Sequence, residues 1–271
     1  MTTSTPPATV PTASTRRRQP IVPPYHGAWG FLGLPVVMGI AAAGWSPWLP
    51  LLVVTWVAAY PMSWALTGTL TARRRGRFRR ALLIWGPLCV LGGAPLLLVH
   101  PWLLWSLAAY GLLFAVNVQQ AGTRRERSLV NDLVLIVECA LLVPLLAGVV
   151  ADRNGFALPV GAMTTGPVVA ATVAVGLTLV GSTLHVKSLI RERTNPTFAR
   201  VSRCFSLLAP APMLGVCLAT GASGWLAAAF LFAAARSIWA HDPTWRPARI
   251  GMVELVCLMA VALTGLMVLP S

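Results

Sequence analysis

Acidic residues are what this chain has least of. Seven Asp and Glu stand against 21 Lys and Arg, and the first acid, Glu126, comes almost halfway along 271 residues. Charged residues of both signs make up only 10% of the chain, where a soluble domain carries about 25%. With 56% hydrophobic residues and a mean hydropathy of +0.73, a soluble globular class is excluded and an integral membrane protein is indicated. Lysine is nearly missing too, Lys187 being the single one. The five cysteines (Cys89, Cys139, Cys204, Cys217 and Cys257) form no CxxC pair and sit in or at the ends of apolar runs. They read as small apolar fillers, with neither a disulfide framework nor a zinc site. There is no Walker motif, no GxGxxG after a strand, no HExxH and no GxSxG. The net charge of +14 does not indicate a nucleic-acid partner, because the arginines lie in short clusters between apolar runs, where topology accounts for them.

Residues 1–24 are rich in Ser, Thr and Pro, with Arg16, Arg17 and Arg18 near their end. Such a stretch has too little apolar surface to bury and is expected to be a disordered tail, without the apolar core of a cleaved signal. Residues 25–271 are expected to form one membrane domain. Nine apolar runs follow, at 27–44, 48–66, 81–99, 102–118, 129–150, 167–186, 204–218, 225–239 and 250–269. Each is read as a helix, and the seventh and eighth are the short ones against the ~20 residues that span a bilayer. The expected fold is all-α, a polytopic bundle of about nine transmembrane helices. Prolines 35, 61, 87, 95, 144, 210 and 212 fall within or beside these runs, where neighbouring helices can re-satisfy the interrupted backbone. Placing the N-terminus in the cytoplasm puts twenty of the 21 basic residues on the inner side and only Arg153 on the outer. That asymmetry predicts an inside N-terminus and an outside C-terminus in a multi-pass cell-membrane protein.

Three polar constellations remain unexplained by hydropathy. Arg124, Arg127, Asn131 and Glu138 share a helical stripe at the start of the fifth run, with Asp132 about 100° off it. Counted from Arg127, Glu138 lies about 16 Å deep, near the middle of a ~30 Å hydrocarbon layer. An acid there costs roughly 2.5–3.5 kcal/mol on insertion scales and is expected to face protein or water. After the sixth run, Thr178, Ser182, His185, Ser188 and Glu192 share one face while Lys187 and Arg191 pair on another, and Asn195-Pro196 is read as the end of that helix. At the mouth of the first helix, His26 stands among Tyr25, Gly27 and Gly30. Glu254 is a further intramembrane acid, expected to pair with a neighbouring Arg. The Arg73–Arg80 cluster reads as electrostatic docking to anionic headgroups.

The blocks HGAW at residues 26–29, RRERSLVND at 124–132 and HVKSLIRERTNP at 185–196 resemble the YwiC-like family of bacterial membrane proteins. The resemblance implies a bacterial plasma membrane location. The helix count and the polar inner segments after helices two and six are also similar to the UbiA superfamily of prenyltransferases. In that superfamily two clusters of aspartates hold magnesium and a prenyl diphosphate. This chain departs from it: the segment after helix two has no acid, and the one after helix six has Glu192 alone. No metal and no cofactor is therefore expected.

These readings converge on a cytoplasm-facing polar pocket lined by His26, Asn117, Arg125, Arg127, Asn131, Asp132, His185, Lys187, Arg191 and Glu192. It would bind an anionic lipid headgroup or prenyl-type amphiphile, as a degenerate prenyltransferase-like protein. Two alternatives stand beside it. One is a small secondary transporter with Asp132 or Glu138 as its proton-coupling site. The other is a non-enzymatic membrane assembly factor whose polar stripes only bind helices together.

Overall fold

The computed structural model describes residues 21–24, 27–72, 75–125, 128–240, 242 and 244–269. Among these residues there is no strand. The helices are α1 (Ala28–Ala43), α2 (Leu49–Thr71), α3 (Arg79–Val99), α4 (Leu103–Gly122), α5 (Leu129–Val150), the single turn α6 (Val160–Met163), α7 (Gly166–Ile190), α8 (Pro196–Leu208), α9 (Pro210–Thr220), α10 (Trp225–Trp239) and α11 (Pro247–Val268). A 3-10 turn, Arg75–Phe78, leads into α3.

Seven helical stretches are long and apolar enough to cross a membrane, with α8 and α9 counting together as the 25-residue stretch Pro196–Thr220. The shorter apolar helices are α1, with 16 residues, and α10, with 15. This corrects the expectation that the seventh run is short. Its helix starts eight residues earlier than hydropathy shows, because α8 is amphipathic, with Arg200 and Arg203 exposed and Ser202 and Ser206 buried. The reading of Asn195-Pro196 as a helix end is corrected as well. α7 ends at Ile190, and Asn195 instead caps the start of α8, its Oδ1 accepting from the Phe198 amide at 3.1 Å. Pro196 follows at the first helical position, where its missing N–H costs nothing. Ser128 caps α5 in the same way, accepting from the Asn131 amide at 3.2 Å.

Helices α1, α5 and α7 pack on one another at the centre, with α2–α4 on one flank and α8–α11 on the other. The central packing depends on close approach. A Cβ on Gly39 of α1 would stand 2.3 Å from Leu146 Cδ1 of α5, and one on Gly265 of α11 would stand 2.4 Å from Met38 Sδ of α1. Hydrophobicity does not drive association in lipid, so contact of this kind, between small and large residues, does. Leucines 83, 91, 98, 104, 107 and 112 of α3 and α4 point outward, as lipid-facing helices require. The Trp85 indole donates to the Ile21 carbonyl at 2.8 Å and ties the start of the described chain to α3.

Candidate functional site

The antiparallel course of the central helices brings the start of α5, the end of α7, the end of α10 and the start of α11 to one end of the bundle. Nearly all the buried charge collects there. Lys187 of α7 forms an ion pair with Asp132 of α5. Lys187 is 8% exposed, so its ammonium lies inside the protein and does not snorkel to solvent. On the other side of α7, Glu254 of α11 accepts a 2.5 Å hydrogen bond from Arg236 Nη1 of α10. Its second oxygen stands 3.8 Å from His185 Nε2, and the Ser182 hydroxyl also faces this carboxylate. Arg236 Nη2 donates to Ser206 Oγ of α8 at 3.4 Å.

Arg236 is 2% exposed and Glu254 4%. Lys187 and Arg236 were both counted among the inner-side basic residues that set topology, and Lys187 also among the pocket candidates. Both are buried and compensated by carboxylates. An ion pair so placed needs its partners, since breaking one costs about 3–5 kcal/mol. A cavity of about 20 Å³ lies against Arg236, Glu254, Ser182, Ser206 and Cys257, with room for one water molecule. Arg236 Nε, Glu254 Oε1 and Ser202 Oγ are buried with no hydrogen-bond partner among the described residues.

The remaining sequence candidates fall in other places. Asn117 of α4 donates to Glu138 Oε1 of α5 at 3.2 Å, and the Tyr110 hydroxyl donates to the Glu138 carbonyl at 2.7 Å. That cluster faces α4, whereas Asp132 faces α7, because six residues along a helix rotate the side chain by about 240°. Asn131 is half-buried and offers its amide to the Ser128 cap. Glu192 accepts from Asn195 Nδ2 at 3.1 Å and so belongs to the α7–α8 turn. Arg125 and Arg191 are exposed. His26 and Arg127 lie outside the described residues, as do residues 1–20, which include Arg16–Arg18. The described candidates are thus not gathered in one pocket: Asp132 pairs with Lys187, His185 stands beside Glu254, Asn117 joins Glu138, and Arg125, Asn131, Arg191 and Glu192 lie apart from these groups. Among the described residues no group of three or more His, Cys, Asp or Glu is placed to hold a metal ion.

Sequence reasoning missed Arg236, Ser202 and Ser206. Arg236 lies in the last turn of its helix, where a basic residue reads as an ordinary terminal charge, so the sequence carried no signal of its burial. It also missed His100 at the opposite end of the bundle. This residue is fully buried between Trp48 and Trp102, with Nε2 3.7 Å from Asp152 Oδ1 and Nδ1 3.5 Å from the Arg153 carbonyl.

Residues 22–151 match the family described as YwiC-like protein. A Bacillus subtilis (strain 168) protein, titled uncharacterized protein YwiC, is 27% identical over 242 residues, covering 87% of this chain and 92% of its own. No solved structure matches the chain. The family match spans Asn117, Asp132 and Glu138 and stops before His185, Lys187, Arg236 and Glu254.

Proposed function

For a chain similar to the YwiC-like proteins, with seven helical stretches able to cross a membrane, we propose a role as a small secondary transporter coupled to protons. The observation that carries this reading is two compensated ion pairs on the two sides of α7, the partly buried Asp132–Lys187 and the buried Glu254–Arg236, with His185 of α7 beside Glu254. Ionisable residues within membrane helices are expensive, pair with one another, and mark ion and substrate paths. Paired carboxylates that exchange partners on protonation give a helix bundle two states of similar energy, which alternating access requires. Orientation follows the basic asymmetry, with the charged end and the N-terminus in the cytoplasm and the C-terminus outside. In this reading residues 1–24 are a cytoplasmic tail, and the protein works in the plasma membrane.

The experiment is proton flux in proteoliposomes that hold a pH-sensitive dye. An inward proton gradient is imposed and the low-molecular-weight fraction of a bacterial lysate is added. Transport predicts faster collapse of the gradient than in protein-free vesicles, and loss of that difference in Asp132→Asn and Glu254→Gln. Collapse at the protein-free rate would end the transport reading.

A second reading, recognition of an anionic headgroup by a degenerate prenyltransferase-like bundle, rests on a different observation. Arg193, Arg200 and Arg203 are exposed on α7–α8 at the charged end. Guanidinium groups pair phosphate without a metal. Native mass spectrometry of the purified protein, with and without a magnesium chelator, tests it: a co-purifying anionic lipid or diphosphate retained in chelator supports it, and bare protein counts against it.

A further inference from the structure

The Arg236 site is incompletely satisfied: donors on Arg236 and Ser202 and one acceptor oxygen of Glu254 are buried there without a hydrogen-bond partner among the described residues. The guanidinium gives Nη1 to Glu254 and Nη2 to Ser206, while its Nε and the neighbouring Ser202 hydroxyl are buried without a partner among the described residues. Beside them is a cavity of about 20 Å³, with room for one water. Glu254 is the anion this guanidinium already pairs with, and Phe205, Phe230 and Leu258 line the same cavity as Arg236, Glu254 and Ser206.

We infer that Arg236 is the substrate-binding cation of the proposed transporter and that the substrate is a small monovalent carboxylate, which takes the place of Glu254 when Glu254 accepts a proton. The inference rests on the transport reading and names its substrate class and its coupling group. The charge balance is closed. One proton passes from water to the Glu254 carboxylate, one substrate carboxylate passes to Arg236, and the buried site carries zero net charge before and after. Neither half-step alone has that property. Protonating Glu254 without an anion leaves a guanidinium 2% exposed and uncompensated, and admitting an anion beside ionised Glu254 places two carboxylates on one cation. The two events are therefore obligatorily linked. The groups that face Glu254 agree with this: His185 and Ser182 of α7 stand on its far side from Arg236, ready to receive the neutral acid, and Cys257 is the other ionisable neighbour on α11. α8 contributes only the hydroxyls of Ser202 and Ser206. The Lys187–Asp132 pair lies nearer the open end and is already self-compensated.

The test uses the full-length purified protein in detergent, with sodium lactate, sodium formate and, as an anion that is no carboxylate, sodium nitrate. In weakly buffered solution lactate or formate should draw about one proton per protein from the medium, the value that one-for-one exchange requires. Both carboxylates should raise the thermal midpoint more at mildly acidic than at alkaline pH. Glu254→Gln should bind the same carboxylates with no proton uptake, and they should stabilise this variant at every pH, because its Arg236 has lost the resident anion. Ser206→Ala should weaken the stabilisation severalfold while leaving the proton count unchanged. Proton uptake that is equal in Glu254→Gln, or carboxylates that stabilise neither protein, would overturn the inference. Stabilisation by nitrate equal to that by the carboxylates would overturn the substrate class. Proton flux in the proteoliposome experiment without any response to carboxylates would keep the transporter and discard this substrate.

Discussion

The Arg236–Glu254 pair should behave as one unit, and a double-mutant cycle measures how strongly. Arg236 and Glu254 are 2% and 6% exposed at their side chains and 2.5 Å apart at Nη1 and Oε2. Glu254→Gln keeps the shape and leaves a buried guanidinium with Ser206 and Cys257 beside it and no anion. Arg236→Met keeps most of the volume and leaves a buried acid beside His185 and Ser182. Each single change removes one partner of a buried pair and should cost about 3–5 kcal/mol of unfolding free energy. The double variant removes both charges and refills the site with groups of similar volume. It should be no worse than about 1–2 kcal/mol below wild type, and such replacements of buried pairs often stabilise. A coupling energy of at least about 4 kcal/mol follows, well above the few tenths expected of independent sites. The assay is reversible denaturant unfolding in mixed micelles, followed by the intrinsic fluorescence of the 11 tryptophans. Single effects that simply add in the double variant, within about 0.5 kcal/mol, would refute the reasoning.

Three further outcomes are expected. Gly166→Ala should destabilise by about 1–3 kcal/mol, because its Cβ would lie 2.3 Å from the Thr220 carbonyl oxygen, which is backbone and cannot swing away; Gly176→Ala, with nothing within 4 Å, should be neutral or stabilising by up to about 1 kcal/mol, so equal effects at the two sites in the same unfolding assay would count against the α7–α9 packing. A reporter active only outside the cytoplasm should be active when fused after Ser271 and silent after Arg80, and the reverse pattern would discard the inferred orientation. In the α10–α11 turn, the hydroxyl and amide of Thr244 hold the Asp242 carboxyl below the usual carboxylate range; the turn's contribution is therefore complete above the unfolded carboxylate value and lost as pH falls through the lower folded one, so an acid titration of Trp245 emission, taken as the difference from Trp245→Phe, should show a change below the usual carboxylate range that is absent in Asp242→Asn.

The membrane class and the position of almost every helix were legible in the residue order, because a spanning helix satisfies its own backbone and needs only an apolar run of sufficient length. The 129–150 run became α5 residue for residue, and Trp225–Trp239 became α10. The exceptions were the single turn α6, which lies in none of the nine apolar runs, and α8, whose buried serines and exposed arginines give low hydropathy along the chain although one face is inside the protein. The expectation that Glu254 pairs with an arginine also held, since an acid that deep in a helix has few other ways to exist. Which arginine it takes was decided by the tertiary structure. Arg236 reaches it across the α10–α11 hairpin, while α7 and α8 supply His185, Ser182 and Ser206 from far along the chain. The same holds for the split of the expected pocket. Asp132 and Glu138 sit on one short stretch of α5 and serve different neighbours, Lys187 on one side and Asn117 on the other. A run of apolar residues is indifferent to rotation about its own axis when lipid and protein are equally apolar. The rotation of each helix is set by where a small residue lets another backbone come close, as Gly39 does for Leu146 and Gly265 for Met38, and those contacts exist only once the helices are packed.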